Sequence, residues 1–122
     1  MPEPSKIDVL YVDDEEINLV IFREMFRGDF NVIPKSSPYE ALEFLRENKV
    51  DVIVTDHRMP KMNGVEFLRE LRLETDGNLP KRIMVSGFTN EVEIKNAVEE
   101  KWLDLFVSKP WTYDELKNAI SQ

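Results

Sequence analysis

Cysteine is absent from this chain, and so is any long apolar run. Without cysteine the protein forms no disulfide bond, no thiolate nucleophile and no cysteine-ligated zinc site. No apolar stretch approaches the roughly 18 residues that a membrane-spanning helix needs. The first residues, MPEPSK, are polar and proline-rich with no apolar segment behind them, unlike a signal peptide. We therefore expect a soluble, cytoplasmic protein that does not associate with membranes.

Positive charge is also scarce. The chain has 16 lysine and arginine residues against 24 aspartate and glutamate residues, which gives a formal net charge of -8. Nucleic acid would be repelled on average, and no run of five or more basic residues offsets that repulsion. The sequence therefore predicts no direct binding of nucleic acid.

The rest of the composition is that of a folded domain. Of the 122 residues, 42% are hydrophobic and 33% are charged, which is typical of globular rather than disordered chains. We find no internal repeat, linker or low-complexity tract. The length suits one domain with one core, so we expect a single domain over residues 1–122 with a core from about 6 to 121.

Short apolar runs alternate with segments of helical periodicity along the whole chain. The predicted strands are Ile7–Val12, Phe30–Ile33, Val52–Val54, Arg82–Ser86 and Asp104–Ser108. Strands that alternate with helices form a parallel sheet covered on both faces. Short connections and right-handed crossovers favour a flavodoxin-like, doubly wound sheet with the strand order 2-1-3-4-5. The predicted fold class is therefore α/β.

The predicted helices begin at recognisable sequences. The first follows four consecutive acids and carries Ile17, Val20, Ile21 and Met25 at helical spacing. Capping-box sequences that start at Ser37, Asn63, Asn90 and Thr112 begin the other four. The residues predicted to face inward on those four are Ala41, Leu42, Leu45, Val65, Leu68, Leu71, Arg72, Ile94, Ala97, Val98, Leu116, Ala119 and Ile120.

The stretch Val50–Gly64, with the sequence VDVIVTDHRMPKMNG, occupies the centre of this pattern. Its β-branched run Val52–Val54 lacks polar alternation, which is typical of a strand buried on both faces. The run ends at Asp56, and Pro60 and Gly64 then take the chain out of the sheet. In open α/β sheets, ligands bind at the edge formed by the carboxyl ends of the strands. Asp56 lies at that edge, so it is the leading candidate for a reactive residue.

Polar residues also follow the other strands at this edge. Asp13 and Asp14 end the first strand, Ser86 ends the fourth, and Lys109 follows the fifth. Strands one and three are neighbours in the predicted order, so Asp13 and Asp14 are expected to lie close to Asp56. Crowded carboxylates repel one another and raise their pKa values unless a cation lies among them. Oxygen donors alone favour a hard ion, and partly hydrated Mg²⁺ fits such a site.

This set of side chains is suited to forming an aspartyl phosphate. Lys109 is a mobile positive charge that can pair with Asp56 and later with a phosphoryl oxygen. Ser86 offers a hydroxyl donor to the same oxygen. Catalysis of phosphoryl transfer is mostly positioning and charge neutralisation, which an ion and a lysine supply.

Four segments in order resemble the receiver domain of two-component response regulators. They are Asp13-Asp14, DHRMPKMNG after the third strand, VSGFT at the fourth and FVSKPW at the fifth, and the likeness runs from Ile7 to Ile120. The resemblance implies that Asp56 is the phosphoacceptor and that Asp13, Asp14, Asp56 and the backbone carbonyl of Arg58 bind Mg²⁺. It further implies that Ser86 senses the phosphoryl group and that Lys109 precedes a cis peptide bond to Pro110.

The resemblance also implies a switch and partners. Phe106 lies at the aromatic switch position, where many receivers have tyrosine, and Lys101 lies where many have glycine, so that turn is expected to differ. The implied donor is a histidine kinase or a histidine phosphotransfer protein in a phosphorelay. The switched face would comprise the fourth helix and the fifth strand, with an output domain or a homodimer as its partner. The implied activity is signalling rather than enzymatic turnover, beyond self-phosphorylation from small donors and autodephosphorylation.

Two other functions remain open on the sequence. A receiver-like module can act by protein interaction without phosphorylation, usually after losing an acid or the lysine, and this chain keeps both. A Mg²⁺-dependent phosphohydrolase would need a second acid two residues after the nucleophile, where this chain has Arg58. Taken singly, the acids at Asp13 are also consistent with a solvated helix start, Lys109 with a surface lysine and Phe106 with the core.

Overall fold

The computed structural model describes residues 6–75, 77–87 and 92–122 of the chain. These residues form five strands and five helices in strict alternation. In chain order the elements are β1 (Ile7–Val12), α1 (Glu16–Phe26), β2 (Phe30–Lys35), α2 (Pro38–Glu47), β3 (Val52–Asp56), α3 (Gly64–Glu74), β4 (Lys81–Ser86), α4 (Val92–Glu99), β5 (Leu105–Ser108) and α5 (Tyr113–Ser121). The predicted strands are therefore confirmed, with bounds that differ by up to two residues.

The sheet is parallel throughout, with the order β2-β1-β3-β4-β5. This is the predicted doubly wound topology. All five residues of β3 are buried, as expected for a central strand that is covered on both faces. β2 and β5 form the two edges, and Pro34 in β2 lies opposite Tyr11 of β1. In the described ranges no helix is both long and apolar enough to cross a bilayer.

Alternate residues of the strands feed two separate cores. On β1, Leu10 and Val12 face the side covered by α2, α3 and α4, whereas Val9 and Tyr11 face the side covered by α1 and α5. This follows from the period of two in a strand, which sends successive side chains to opposite faces. Helices therefore cover both faces, as the sequence predicts.

Aromatic rings dominate the core under α1 and α5. Phe22 stacks on Tyr11 with ring centroids 4.0 Å apart and planes 2° from parallel. Phe26 contacts Phe22 and Trp111, at centroid distances of 4.9 Å and 6.1 Å. Such aromatic pairs contribute roughly 0.5–1.5 kcal/mol beyond the area that they bury. They fix α1 against β1 directly beside the end of that strand.

The apolar stripe of α1 that the sequence emphasises does not face the core. Ile17, Val20, Ile21 and Met25 are 62%, 52%, 47% and 39% exposed. The buried residues are instead Leu19, Phe22 and Phe26, which form a second stripe at helical spacing. Both stripes are apolar, and the stripe that packs against the sheet is the one that contains the aromatic residues.

Two of the four predicted capping boxes are present in full, one is only partly formed, and one is not described. The capping boxes at Asn63 and Thr112 are present with both reciprocal hydrogen bonds. Ser37 caps α2 through the Glu40 amide, but the Glu40 carboxylate accepts a hydrogen bond from the Ser36 hydroxyl rather than closing a box. The box predicted at Asn90 lies outside the described residues.

Two residues predicted to face inward are exposed. Val98 is 47% exposed on α4, because Ile94 and Ala97 are the residues that this helix buries. Arg72 is exposed on α3, and its guanidinium reaches across to donate to the Glu100 carbonyl. A long charged side chain gains more from that contact and from water than from burial.

A clamp around Arg82 shapes the turn between α4 and β5. Lys101 has φ 61°, a left-handed conformation that glycine adopts without strain. The buried Arg82 guanidinium donates to the carbonyls of Lys101 and Trp102, at 3.1 Å and 3.3 Å, and pairs with the Asp104 carboxylate at 3.3 Å. Lys101 thus holds this conformation without glycine, because neighbouring hydrogen bonds fix the turn.

Candidate functional site

Three carboxylates meet at the carboxyl edge of the sheet. Asp13, Asp14 and Asp56 each place an oxygen within 4.8 Å of the others. They meet because β1 and β3 are hydrogen-bonded neighbours in register, with Val12 opposite Thr55, so both strands end at the same level. Asp13 is fully buried, Asp56 is 8% exposed, and Asp14 is exposed to solvent. The cluster is therefore half enclosed and open on one side.

Asp13 is held by three hydrogen bonds. Its Oδ2 accepts from the Tyr11 hydroxyl at 2.8 Å and from the Asn18 amide nitrogen at 3.1 Å. Its Oδ1 accepts from the backbone N–H of Glu15 at 3.0 Å. Burial, together with the carboxylate of Asp13, raises the pKa of Tyr11 above its usual value, so the hydroxyl remains a donor at every working pH. The orientation of this carboxylate is therefore fixed before any ligand arrives.

Asp56 is paired with a lysine. Lys109 Nζ lies 3.1 Å from Asp56 Oδ1. Burial raises the pKa of Asp56, and the Asp13 charge adds to this, while Lys109 partly offsets both. The Lys109–Pro110 peptide bond is cis. Lys109 is the residue after β5, and its ammonium lies against the carboxylate that ends β3.

Two hydrogen bonds fix the backbone carbonyls at the start of the loop after β3. The amide of Gly64 donates to the carbonyl of His57 at 2.8 Å, and the Thr55 hydroxyl donates to the carbonyl of Asp56 at 2.8 Å. A Cβ on Gly64 would lie 2.5 Å from the Asp56 carbonyl oxygen. The first turn of α3 can therefore pack this closely only because residue 64 is glycine.

The structure places Ser86 at this end of the sheet and Phe106 two residues further back on β5, opposite Met84. Ser86 is 2% exposed at the end of β4, and its carbonyl accepts from the Lys109 amide at 2.9 Å. Phe106 is half-buried on β5 and packs against the core on the α2–α4 side. Arg58 lies on the exposed loop and lines a cavity of about 680 Å³ together with Asn63. Metal binding by its carbonyl stays a prediction.

Sequence reasoning missed Tyr11 and Asn18 as parts of this region, and it placed Gly64 in the loop after Asp56 without predicting its close approach to the Asp56 carbonyl. Tyr11 reads as a core residue inside an apolar strand. A signal was present, because residues two apart on a strand share a face, which places the Tyr11 hydroxyl on the side of Asp13. Asn18 carries the weaker signal of one helical turn from the acids, and Gly64 that of a glycine at a helix start.

The fold, the acidic cluster and the lysine after β5 together define a receiver-type signalling domain. The family model of the response regulator receiver domain matches residues 9–121, and the chain belongs to that family. It is 37% identical over 114 residues to the hydrogenase transcriptional regulatory protein HoxA of Cupriavidus necator, covering 93% of this chain and 23% of that protein. It is 31% identical to the transcriptional regulatory protein ZraR of Escherichia coli K12, covering 97% of this chain and 26% of that protein.

The chain thus spans about a quarter of the length of these curated relatives. Among solved structures, a protein described as adenylate cyclase from Rhodopirellula baltica aligns with a TM-score of 0.86 and 29% identity, covering 95% of this chain and 85% of that one. The chemotaxis protein CheY4 of Vibrio cholerae aligns with a TM-score of 0.86 at 23% identity, covering 96% and 98%. The second likeness concerns the fold alone.

Proposed function

We propose that this receiver domain takes a phosphoryl group from a phosphohistidine onto Asp56, with Mg²⁺ bound at the acidic cluster. The observation that carries the proposal is the approach of three carboxylate oxygens to within 4.8 Å, with the Lys109 ammonium 3.1 Å from Asp56. The donor would be a histidine kinase or a histidine phosphotransfer protein. The full-length relatives are transcriptional regulators, so an output domain elsewhere in the same protein is part of the proposal.

The donor set fits a hard divalent cation. All the side-chain donors of the cluster are carboxylate oxygens, which Mg²⁺ prefers, and one side is open to water. The raised pKa of Asp56 reflects burial near another carboxylate, which a cation would relieve. A bound Mg²⁺ would supply charge neutralisation and in-line positioning of the phosphoryl group. Asp13, Asp14 and Asp56 would hold it.

The proposed transfer is a direct displacement at phosphorus. An oxygen of Asp56 forms the new O–P bond while the P–N bond to the donor imidazole breaks, and the imidazole keeps the electron pair and takes a proton from water. Lys109 leaves its pairing with Asp56 and binds a phosphoryl oxygen. Ser86, at the end of the adjacent strand, is the proposed hydroxyl donor to another oxygen.

The new charge is proposed to shift the position of α4 and β5. Movement of Ser86 toward the phosphoryl group would open space on the Phe106 side, and Phe106 is only half-buried. α4 is the shortest helix of the described chain, and Ile94 and Ala97 are the residues that it buries. A weakly anchored helix needs little differential contact energy to change its position. The face of α4 and β5 is therefore the proposed output surface, whether its partner is an output domain or a second copy.

The donor protein needs a surface beside the pocket, and α1 offers one. Its exposed apolar residues Ile17, Val20, Ile21 and Met25 begin three residues after Asp14. An amphipathic helix that carries the phosphohistidine can pack on this stripe. We expect Ile17→Glu/Ile21→Glu to abolish transfer from a reconstituted kinase and to leave labelling by acetyl phosphate unchanged. Equal transfer from the kinase would exclude this docking surface.

Intact-mass measurement tests the proposed function. The protein is incubated with acetyl phosphate in Mg²⁺ or in EDTA, beside Asp56→Asn and Asp51→Asn. Asp51 is the matched control, because it is an exposed aspartate next to the opposite end of β3 and asparagine keeps the oxygen that accepts from the Asp8 amide. We expect one phosphoryl adduct that requires Mg²⁺, persists in Asp51→Asn and disappears in Asp56→Asn. No adduct in Mg²⁺ would favour an interaction module that works without phosphorylation.

A further inference from the structure

Tyr11 contributes a hydroxyl to the buried side of the acidic cluster. The residue is 2% exposed, and its hydroxyl lies 2.8 Å from Asp13 Oδ2. Its ring stacks on Phe22, a contact that phenylalanine would make equally well. The hydroxyl group is therefore the part of Tyr11 that packing alone does not require.

The acceptor of this hydrogen bond is one of the clustered carboxylates. Hydrogen bonds to a charged group are about twice as strong as neutral ones, and this one is sealed from water by a fully buried acceptor. Asn18 donates to the same oxygen, but it is half-exposed and shares its amide with Glu15 Oε2 at 3.4 Å. Tyr11 is thus the more rigid of the two side-chain donors to Asp13.

We propose that Tyr11 is a positioning residue for cation binding, an inference that rests on the proposed function: its hydroxyl fixes the orientation of the Asp13 carboxylate, which would be one of the groups that hold the ion. Partners that orient metal-binding groups in this way change metal affinity by roughly 10- to 100-fold when they are removed. Two donors to Asp13 remain after the loss of Tyr11, namely Asn18 and the Glu15 amide. We therefore expect an effect at the low end of that range.

The choice of ion gives a second signature. Mg²⁺ demands near-ideal octahedral geometry, whereas Ca²⁺ accepts variable geometry and more ligands. A loosened Asp13 should therefore weaken Mg²⁺ binding more than Ca²⁺ binding. A loss that did not depend on the geometry of the Asp13 carboxylate would instead lower both affinities by the same factor.

Tyr11→Phe is the test, and Tyr113→Phe is its matched control. Tyr113 also donates its hydroxyl to a carboxylate, that of Asp29, and also stacks on a phenylalanine, Phe26. Asp29 lies beyond the C-terminal end of α1, whereas Asp13 and Asp14 precede its N-terminal end. The helix has 11 residues, so its two ends are roughly 16 Å apart. Both variants lose the same chemical group, but only one of them loses it at the cluster.

Affinities are obtained from urea unfolding at increasing Mg²⁺ or Ca²⁺, because a ligand stabilises the native state according to its dissociation constant. Each variant is compared with itself in EDTA, which removes its own change in stability. We expect Tyr11→Phe to bind Mg²⁺ about tenfold more weakly and Ca²⁺ less than about threefold more weakly. Tyr113→Phe should bind both ions as the wild type does.

Two outcomes overturn the proposal, and they differ in what else they overturn. If wild type and Tyr11→Phe bind Mg²⁺ equally, the hydroxyl has no positioning role and the cation site still stands. If the wild type itself binds no Mg²⁺, the cation site of the proposed function fails and the role of Tyr11 fails with it. An equal loss of Mg²⁺ and Ca²⁺ affinity in Tyr11→Phe would also refute the positioning role.

Discussion

Gly64 is the residue at which a single added methyl group should disturb the site most directly. Its ideal Cβ would lie 2.5 Å from the carbonyl oxygen of Asp56, 3.0 Å from His57 Cα and 3.0 Å from Met84 Cε. The methionine methyl can move aside, because it ends a flexible side chain. The two backbone atoms belong to β3 and its loop, so α3 or the Asp56 segment must shift instead.

The magnitude follows from two opposing terms. Overpacking against a well-packed region costs about 1–3 kcal/mol, and two backbone contacts place this case at the upper end. Replacing glycine by alanine returns about 0.4–1 kcal/mol by restricting the unfolded chain. We expect Gly64→Ala to lower the free energy of unfolding by about 2 kcal/mol. Labelling of Asp56 by acetyl phosphate should also slow, because the strand end that carries it is displaced.

Gly28→Ala is the matched control, because no heavy atom lies within 4 Å of its ideal Cβ. We expect its stability to stay within about 0.5 kcal/mol of the wild type. Urea unfolding in EDTA, followed by circular dichroism, measures both variants. If Gly64→Ala unfolds at the same urea concentration as Gly28→Ala, the close approach of α3 to Asp56 is not what requires glycine.

Three further predictions concern buried and strained groups. Lys101→Gly should stabilise the protein by about 0.5–1 kcal/mol, because the strain of a left-handed residue, about 1–2 kcal/mol, exceeds the roughly 0.4–1 kcal/mol that glycine costs by freeing the unfolded chain; urea unfolding checks this, and a loss would contradict it. Arg82→Met should cost about 2 kcal/mol in the same assay, since the carbonyls of Lys101 and Trp102 lose their donor, and no loss would show that the clamp is dispensable. The raised pKa of Asp56 means that the native state holds this proton more tightly than the unfolded chain, so without cation its ionisation lowers stability as pH rises above 3.8. Asp56→Asn should therefore be more stable than the wild type at pH 7 in EDTA, with the gap closing toward low pH, and a gap that does not depend on pH would refute this.

The topology and the meeting of the acids were predictable because each depends on local signals. Runs such as Val52–Val54 are too short and too β-branched for helices, and caps such as Asn63 and Thr112 mark where helices begin. Once the strand order followed, the acids after β1 and β3 had to converge. No three-dimensional information was needed for that step.

The facing of α1 was not predictable in the same way. The helix carries two apolar stripes, one around Ile21 and one around Phe22, and helical spacing alone supports either. The choice depends on ring stacking with Tyr11 and on Trp111, which arrives from the far end of the chain. Contacts between residues so distant in sequence leave no trace in a local pattern.

The two edges of the sheet bear on how the protein behaves when it is concentrated. Exposed edge strands can pair with another chain and seed aggregation. Pro34 removes one N–H donor from β2, and β5 is only four residues long. Both features are ones that natural sheets use to discourage the addition of a further strand. We therefore expect concentrated samples to self-associate, where they do so, through helix surfaces and not through growth of the sheet.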